Sequence, residues 1–300
     1  MLDLIIIGAG PAGITAAVYA ARKKMGLLVI TKDIGGQTAW SGDIENYTGY
    51  QFVTGLELVA KFEEHMRKYD ITVREDEEII ELKGNKSGVY VKTDKAEYEA
   101  KTAIIASGKR SRELGVPGEK EFKNKGLTYC ATCDAPLFAG KVVAVIGGGN
   151  SGLDAALQLM NIAKYVYVIN IAPDLTGDPI MQEKVKNSDK VEVLNSTQVT
   201  AVIGDKMVTG IKIKKEAQEK TLSLQGIFVE IGLIPNSEFV KGLDKNELGE
   251  IKVDSYNRTN VPGVFAAGDV TDVPEKQIII AAGEGSKATL SAFRYLAQKR

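Results

Sequence analysis

The sequence predicts an α/β protein built from two similar parallel-sheet units, with the second unit inserted into the first. The chain of 300 residues is long enough for two domains with separate cores. The segment "LDLIIIGAGPAGITAAVYAARK" near the N-terminus resembles "KVVAVIGGGNSGLDAALQLMN" at 141–161. Each segment is a β-branched run, then G-x-G-x-x-G, then an Ala/Leu-rich helical pattern. This order is typical of a strand, a glycine turn and a crossover helix.

A second pair of segments extends the repeat. "AIIASG" (103–108) and "GIFVEIG" (226–232) are strand-like runs that each end at a glycine. "LGVPGE" (114–119) and "GLIPNSE" (232–238) carry Pro and Gly between apolar segments and make natural boundaries. We therefore expect one discontinuous domain of residues 1–115 and 241–300, and a second domain of residues 118–237. The C-terminal segment that follows "GVFAAGD" (263–269) predicts a helix that returns to the first unit.

Charge and hydropathy argue against several classes of partner. The formal net charge of −1 provides no broad basic face for nucleic acid. No apolar run approaches the roughly 20 residues needed to span a bilayer, so we expect no membrane insertion. The N-terminal apolar run has no basic region before it and leads straight into a glycine loop, which favours a buried first strand over a signal peptide. These features predict a cytoplasmic protein.

The two glycine motifs predict two dinucleotide sites. The first glycine of such a motif permits a tight turn, the second lets backbone N–H groups approach a pyrophosphate, and the third lets helix and strand pack closely. One such motif alone is a weak signal, but two motifs, each between a strand and a helix, favour two dinucleotides, in practice a flavin and a nicotinamide. The first loop would use Gly8, Gly10, Pro11, Ala12 and Gly13, and the second Gly147, Gly149, Asn150, Ser151 and Gly152.

The residues expected at the ribose depart from the usual acidic residue in both units. In the first unit Lys32 stands about where an acid is expected, with Asp33 one residue on. In the second unit Asn170 either hydrogen-bonds a free 2′-hydroxyl or merely ends a strand. A 2′-phosphate would call for an arginine, yet no arginine occurs between Arg112 and Arg258, which disfavours NADPH.

The only two cysteines, Cys130 and Cys133, lie in "TYCATCDAP". This spacing lets two sulfurs close a small disulfide, in which one thiolate attacks and the other resolves, and Asp134 could protonate the leaving thiolate. The alternative is a buried, inert pair. A structural zinc site wants four ligands, and beyond the cysteines the chain offers only His65, so we expect no metal.

Several motifs together resemble the low-molecular-weight thioredoxin reductase family. They are "GAGPAG", "GGQ" (35–37), "IENY" (44–47), "YCATCD", "GGGNSG" and "AAGD" through "KQIIIAAGEGSKA", and they cover essentially the whole chain in order. "CDAPLF", "IGGGNSG", "GIFVEIGLIPN" and "KQIIIAAGEG" look most like the flavoprotein subunit of alkyl hydroperoxide reductase. That relative carries an additional N-terminal disulfide-transfer domain, which we expect this chain to lack.

The resemblance implies a role for each matching position. The first glycine loop would hold the FAD pyrophosphate, the second loop the nicotinamide dinucleotide, and the two cysteines the redox disulfide. Asp269 would bind the ribityl chain, and Gln277 with Ile278 would meet the isoalloxazine ring, where a helix N-terminus would stabilise an anionic reduced flavin. The other positions implied along FAD are Lys32, Gly35, Gly36, Gln37, Asn46, Gly108, Gly268 and Lys276.

One departure bears on the electron donor. Typical NADPH-using members carry an arginine cluster after the second unit as a basic run, and this chain lacks it. NADH is therefore the expected donor, NADPH is an alternative, and reduced ferredoxin is a third option because some relatives without those motifs use it. The intact loop "GGGNSGLDAA" favours a nicotinamide.

The sequence thus predicts an FAD-dependent protein-disulfide reductase, a thioredoxin-disulfide reductase. Its partner would be thioredoxin or a thioredoxin-like or glutaredoxin-like protein, and the resemblance implies a homodimer. The disulfide and the nicotinamide both need the same flavin, so we expect the inserted domain to rotate about segments near 115–118 and 233–238. Two alternatives remain open, an NADH oxidase that forms peroxide at the flavin and a flavin-bound redox sensor.

Overall fold

A computed structural model describes residues 1–40, 43–44, 46–85 and 88–299. For Trp40, Asp43, Asn85, Thr132 and Cys133 it describes the backbone only. The chain forms two compact units, one of residues 1–110 and 234–300 and one of residues 111–233. The chain passes between the units at 110/111 and 233/234, a few residues before the positions at which the sequence places the domain boundaries.

The first unit, of residues 1–110 and 234–300, is an α/β layer structure of strands and helices. Its strands are β1 (Leu2–Ala9), β2 (Leu27–Ile34), β3 (Asp43–Ile44), β4 (Val53–Thr54), β5 (Thr72–Arg74), β6 (Ile79–Asn85), β7 (Gly88–Thr93), β8 (Glu97–Ile105) and, late in the chain, β19 (Val264–Ala266). Its helices are α1 (Pro11–Arg22), α2 (Gly55–Arg67), α7 (Ile278–Gln298) and a 3-10 turn at Gly36–Trp40. Two short strands, β9 (Lys109–Ser111) and β18 (Leu233–Pro235), lie where the chain changes units.

The main sheet of the first unit is parallel where the predicted loop lies. Its order is β5-β2-β1-β8-β7-β6, and β19 also pairs with β8. Neighbours β5, β2, β1, β8 and β19 run parallel, whereas β6 and β7 add an antiparallel hairpin. Strand β1 is buried on both faces, because Leu4 and Ile6 pack into one core cluster while Ile5 and Ile7 pack into the other.

The helices of the first unit begin where local chemistry favours them. Helix α1 follows the N-cap Gly10 and has Pro11 at its first position, where the missing N–H of proline costs nothing. Helix α2 begins at a capping box, in which Thr54 and Glu57 bond each other's backbone N–H groups. Helix α7 lies close against α1, since a Cβ on Gly285 would fall 2.0 Å from the Ala12 carbonyl oxygen. The predicted return of the C-terminal helix to the first unit is observed.

The second unit, of residues 111–233, repeats the parallel arrangement on a smaller scale. Its strands are β10 (Leu127–Thr128), β11 (Val142–Ile146), β12 (Tyr165–Ile169), β13 (Val191–Leu194), β14 (Thr197–Gly204), β15 (Val208–Lys215), β16 (Gln218–Ser223) and β17 (Gly226–Val229). Its helices are α3 (Glu119–Phe122), α4 (Ala131–Asp134), α5 (Asn150–Ile162), α6 (Pro179–Lys186) and a 3-10 turn at Ala135–Phe138. The parallel sheet has the order β10-β17-β11-β12-β13, and β14-β15-β16 form a separate antiparallel sheet.

Alternation along β11 shows how the second unit is layered. Val143 and Val145 face the cluster that contains α5, while Ala144 and Ile146 face the cluster that contains the antiparallel sheet. The predicted fold class, an α/β protein with two Rossmann-like units and the second inserted in the first, is confirmed. None of the helices in the described residues combines the length and the apolar character needed to cross a bilayer.

Candidate active site

The first glycine loop lies at the carboxyl end of β1, where open parallel sheets bind ligands. Gly8 has a positive φ of 98°, and a Cβ there would fall 2.4 Å from the Ala106 carbonyl oxygen. A Cβ on Gly13 would fall 1.8 Å from the Gly8 carbonyl oxygen, so helix and strand meet backbone to backbone. Gly10 differs, because the nearest atom to its added Cβ is the Gly35 carbonyl oxygen at 4.0 Å. The middle glycine therefore faces open space at a helix N-terminus.

The segment that follows β2 runs past this loop. The Gly35 N–H donates to the Ala9 carbonyl oxygen at 2.8 Å. Gly36 has a φ of 52°, and its added Cβ would lie 3.6 Å from the Gly10 Cα. These contacts bring the two predicted glycine segments of the FAD site together.

Predicted residues on the flavin side are also brought together. The Asn46 side-chain amide donates to Gln277 Oε1 at 3.0 Å across 231 residues of sequence. Ile278 packs against the small buried cluster of Ile44, Val53 and Leu58. Gln37 Nε2 donates to the Lys109 carbonyl oxygen at 2.7 Å. Gly108 has a φ of 64° with nothing within 4 Å of its added Cβ.

Asp269 follows β19 and is half-buried at the same edge of the sheet. Burial raises the pKa of its carboxyl, and Lys276 and Lys109 oppose that rise. No hydrogen bond from the described residues contributes to this shift. The protein alone therefore offsets little of the cost of burying this charge. Hydrogen bonds from the hydroxyl groups of a ligand would offset it, which suits a ligand-binding residue.

Three charged residues that the sequence analysis did not single out support this edge. Glu250 accepts hydrogen bonds from Lys109 Nζ at 2.6 Å and from Asn246 Nδ2 at 2.5 Å, and Lys276 Nζ lies 3.1 Å from it. Burial would raise the pKa of Glu250, but these bonds outweigh it and the pKa lies below its ordinary value. Glu284, buried in α7, accepts from the Gly268 N–H at 2.9 Å.

Lys32 is placed differently from the other predicted residues. Its Nζ lies 2.7 Å from Glu78 in an ion pair with both side chains about 60% exposed (62% and 59%). Exposed pairs of this kind contribute little to stability. In this structure Lys32 is engaged with the β6 side of the unit, and its ribose contact stays a prediction.

The second glycine loop repeats the geometry of the first. Gly147 has a φ of 133°, and its Cβ would fall 2.1 Å from the Glu230 carbonyl oxygen. A Cβ on Gly152 would fall 2.2 Å from the Gly147 carbonyl oxygen. The middle glycine is again open, since the nearest atom to a Cβ on Gly149 is Thr176 Oγ1 at 3.8 Å. The same three steric demands recur at a second helix N-terminus.

The loop after β12 is held against this second glycine loop. The Thr176 N–H donates to the Gly148 carbonyl oxygen at 2.8 Å, and Asn150 Oδ1 accepts from the Asp178 N–H at 2.7 Å. Ser151 is exposed in the first turn of α5. Asn170 is 5% exposed, and its amide nitrogen lies within 2.9–3.1 Å of three oxygens of Ala172, Asp174 and Asn195. Asn170 therefore shapes this loop, and its predicted bond to a ribose hydroxyl stays a prediction.

Cys130 is disulfide-bonded and immediately precedes the short helix α4. Its N–H donates to Thr128 Oγ1 at 3.2 Å, and the Thr128 hydroxyl in turn donates to Asp134 Oδ2. The Asp134 N–H donates to the Cys130 carbonyl oxygen at 3.2 Å. A carboxylate is thus tied to the cysteine backbone through one hydroxyl. The side chain of Cys133 lies outside the described residues.

A buried carboxylate, Glu119, bonds the tyrosine that precedes Cys130 in the sequence. Glu119, 1% exposed, accepts from the Leu114 and Gly115 N–H groups at 2.6 and 2.7 Å and from the Tyr129 hydroxyl at 2.8 Å. Burial and the bond to Glu119 raise the pKa of Tyr129. Glu119 was not predicted as a functional residue, although it lies in "LGVPGE" (114–119), a segment predicted as a boundary.

The residues present fit FAD in the first unit and a nicotinamide dinucleotide in the second. Each unit offers one open glycine at a helix N-terminus, where an added Cβ would fill the space that a pyrophosphate needs. The first unit adds Asp269, a carboxylate at the same sheet edge as the glycine loop, of the kind that a polyhydroxyl chain would satisfy. The role of each residue toward these groups stays a prediction.

Comparison with known proteins places the chain among disulfide oxidoreductases. The family model described as pyridine nucleotide-disulphide oxidoreductase matches residues 2–285. An NADH dehydrogenase of Bacillus subtilis is 43% identical over 98% of this chain and 58% of its own length. An alkyl hydroperoxide reductase subunit of Pseudomonas aeruginosa is 44% identical over 98% of this chain and 58% of its own length. The chain thus spans little more than half the length of these two relatives.

One solved structure resembles this chain over the full length of both proteins. The crystal structure of thioredoxin reductase from T. acidophilum superposes with a TM-score of 0.81 at 40% identity, covering 100% of this chain and 99% of that one. The predicted resemblance to low-molecular-weight thioredoxin reductases is confirmed. The family implies a flavoprotein oxidoreductase that uses FAD and a nicotinamide donor. This chain belongs to the pyridine nucleotide-disulphide oxidoreductase family.

Proposed function

We propose that the protein is an FAD-dependent protein-disulfide reductase that passes electrons from NADH, through FAD and Cys130–Cys133, to thioredoxin or a thioredoxin-like protein. The observation that carries the proposal is the disulfide-bonded Cys130, tied through Thr128 to Asp134, in the same unit as an open phosphate loop. A disulfide flanked by hydrogen-bonded polar groups and placed beside a dinucleotide loop suits electron transfer better than cross-linking, because it closes a loop of only four residues.

The roles of the chain's own residues follow from their contacts. Bound FAD supplies the two-electron exchange between nicotinamide and disulfide. Asp134 accepts the hydrogen bond of the Thr128 hydroxyl, which holds its side chain at the cysteine helix, and its proposed role is to transfer a proton to the sulfur that leaves as thiolate. Asp269 is the proposed hydrogen-bond acceptor for the ribityl hydroxyl groups of FAD. Gly10 and the N–H groups at the start of α1 are the proposed binding site of the FAD pyrophosphate.

Three observations support NADH as the donor. The unit that holds the second loop contains only Arg112 as arginine, at its entry from the first unit, so no guanidinium fork is available in the loop after β12 for a 2′-phosphate. One relative, 43% identical, is named NADH dehydrogenase. The open Gly149 favours a nicotinamide over ferredoxin, which needs no phosphate cradle. NADPH is the alternative nicotinamide.

The proposed partner is a thioredoxin-type protein, as the T. acidophilum structure's name suggests. A glutaredoxin-like protein or a separate disulfide-transfer domain offers the same dithiol chemistry. Thioredoxin's reduction potential of about −270 mV lies within reach of a nicotinamide-fed dithiol. A rotation of the inserted unit and assembly as a homodimer both stay predictions.

Reduction of thioredoxin by NADH under anaerobic conditions tests the proposal. The FAD-loaded protein should reduce thioredoxin supplied in molar excess, with NADH far more effective than NADPH, and Cys133→Ser should abolish that transfer. Thr132→Ser in the same turn is the matched control and should retain it. Full thioredoxin reduction by the Cys133→Ser protein would contradict the proposal.

A second candidate is an NADH oxidase that forms peroxide at the flavin, favoured by the name of the Bacillus subtilis relative. It makes the opposite prediction for the same variant. In air, Cys133→Ser would then consume NADH and produce peroxide at the rate of the unaltered protein. The disulfide reductase is favoured if, in the presence of thioredoxin, the Cys133→Ser protein consumes NADH much more slowly than the unaltered protein. Little peroxide should then be formed by either protein.

A further inference from the structure

Glu230 is a half-buried carboxyl residue at the end of β17 that no role above uses. Its N–H donates to the Ile146 carbonyl oxygen at 2.8 Å, which fixes its backbone beside Gly147. Its side chain turns toward the cysteine helix, where Oε1 accepts from the Ala131 N–H at 3.3 Å. Ala131 is bonded directly to Cys130. Glu230 thus bridges the second glycine loop and the redox pair.

Among the described residues, no cation contributes to the pKa shift of Glu230. Strands β10, β11 and β17 carry no charged side chain, α4 carries Asp134, and α5 carries Asp154. Burial raises the pKa of Glu230 to about 7, the Ala131 N–H bond lowers it, and Asp154 raises it. The carboxyl therefore changes charge within the range of pH in which a dithiol reacts.

We propose that Glu230 is a positioning residue that controls the acidity of the Cys130 thiol in the reduced protein. The inference rests on the proposed function in one respect, that Cys130 belongs to a disulfide that is reduced during turnover. Reduction adds two electrons to the disulfide, breaks the S–S bond, and leaves two sulfurs that each take up a proton as thiol or remain thiolate. Glu230 acts on that last equilibrium through its charge.

The direction of the effect follows from Coulomb's law. An ionised Glu230 disfavours a second negative charge at Cys130 and raises the thiol pKa, whereas protonated Glu230 does not. As pH rises, Glu230 ionises first and holds back the thiolate that rising pH would otherwise produce. The reactivity of the reduced pair toward a partner disulfide therefore varies less steeply with pH than that of an isolated thiol.

The size of the effect follows from the contact. The bond to Ala131 and the covalent geometry of Cys130 place the carboxylate about 5 to 8 Å from the sulfur. At an effective dielectric of about 20, charges at that separation shift a pKa by about 1.5 to 2.5 units, and partial exposure to solvent brings this to about one unit. Removing the charge should make Cys130 up to about tenfold more reactive at pH values above the pKa of Glu230, and at most about twofold more reactive at pH 7.

Alkylation of Cys130 in a Cys133→Ser background tests the proposal without turnover. The rate of reaction with iodoacetamide is measured from pH 5 to 10 in the FAD-loaded protein. With Glu230 present, the logarithm of the rate should show two steps against pH, the lower one a change of slope near pH 7. Glu230→Gln keeps the oxygen that accepts from Ala131 but removes the charge. It should give one step, shifted to lower pH by about one unit.

Asp154→Asn is the matched control, because Asp154 acts on Glu230 by charge and makes no bond to Ala131. It should move the lower step to lower pH and leave the upper step in place. A single-step profile for the parent protein, or an unchanged Cys130 pKa in Glu230→Gln, would overturn the inference. Because the parent profile alone can overturn it, the test survives if Glu230→Gln fails to fold. Thioredoxin reduction by the unaltered protein tests the proposed function independently.

Discussion

Substitution of the second and third glycines in the N-terminal loop separates ligand binding from folding. An alanine Cβ at Gly10 would meet nothing closer than the Gly35 carbonyl oxygen at 4.0 Å. The backbone at Gly10 has φ −77° and ψ −173°, which alanine adopts without strain. An alanine Cβ at Gly13 would instead lie 1.8 Å from the Gly8 carbonyl oxygen. The two changes are chemically identical, yet they meet very different surroundings.

The structure gives a magnitude for each change. For Gly10→Ala, a gain of about 0.4–1 kcal/mol from the unfolded chain and the loss of a favourable N-cap nearly cancel. Its methyl group occupies the space of the proposed phosphate, and loss of a charge-assisted bond worth about 1.5–3 kcal/mol should weaken FAD binding about 10- to 100-fold. For Gly13→Ala, helix and strand must separate, at a cost of about 1–3 kcal/mol or more of folding free energy.

Two assays distinguish loss of FAD affinity from loss of folding stability. Quenching of flavin fluorescence on titration with FAD gives the dissociation constant, and urea unfolding of the FAD-free protein gives the free energy of unfolding. We expect Gly10→Ala to lose FAD affinity at nearly unchanged stability and Gly13→Ala to lose stability. Unchanged FAD affinity in Gly10→Ala would refute the assignment of this loop as the pyrophosphate-binding site, regardless of the stability measured for Gly13→Ala.

Three further predictions use the same logic elsewhere in the chain. In the second unit, Gly149→Ala should abolish bleaching of the flavin by NADH while FAD content and bleaching by dithionite are retained, and Gly152→Ala should destabilise the fold. Burial raises the pKa of Asp269, so its ionised form destabilises the folded protein at neutral pH. Asp269→Asn should therefore raise the midpoint of thermal unfolding of the FAD-free protein and weaken FAD binding. A lower midpoint would contradict this reasoning. Because the folded-state pKa of Glu230 is raised from 4.5 to about 7, the folded protein loses stability as pH rises through that window. Glu230→Gln should therefore stabilise the FAD-free protein at pH 8 by up to about 3 kcal/mol and have little effect near pH 4.5, as measured by urea unfolding; equal effects at both pH values would count against the shift.

Residues close in sequence were the ones that sequence patterns could predict. The repeated strand, glycine loop and helix form a pattern within one segment of about 20 residues, and the structure places Gly8 to Gly13 and Gly147 to Gly152 in matching geometry. The antiparallel sheet in the second unit escaped prediction, although β15 alternates buried and exposed positions over much of its length. That period-two pattern was an available signal.

Residues that act across long sequence separations could not be found in this way. Lys109 and Glu250 are 141 positions apart, and Glu230 reaches Ala131 across 99 positions. Each looks like an ordinary surface charge until the tertiary fold brings its partner to it. For Asn170, the position at the end of a strand was predicted from the sequence. The hydrogen bonds that its side-chain amide makes to the following loop were not.

The most direct test of the account is an anaerobic titration with NADH that counts the reducing equivalents the protein accepts. If electrons pass through FAD to Cys130–Cys133, the unaltered protein should accept about two equivalents of NADH per FAD, one for each two-electron centre. Cys133→Ser should accept about one. NADH should bleach the flavin far faster than NADPH. Equal uptake by both proteins would contradict the central claim that the disulfide receives the electrons of the flavin.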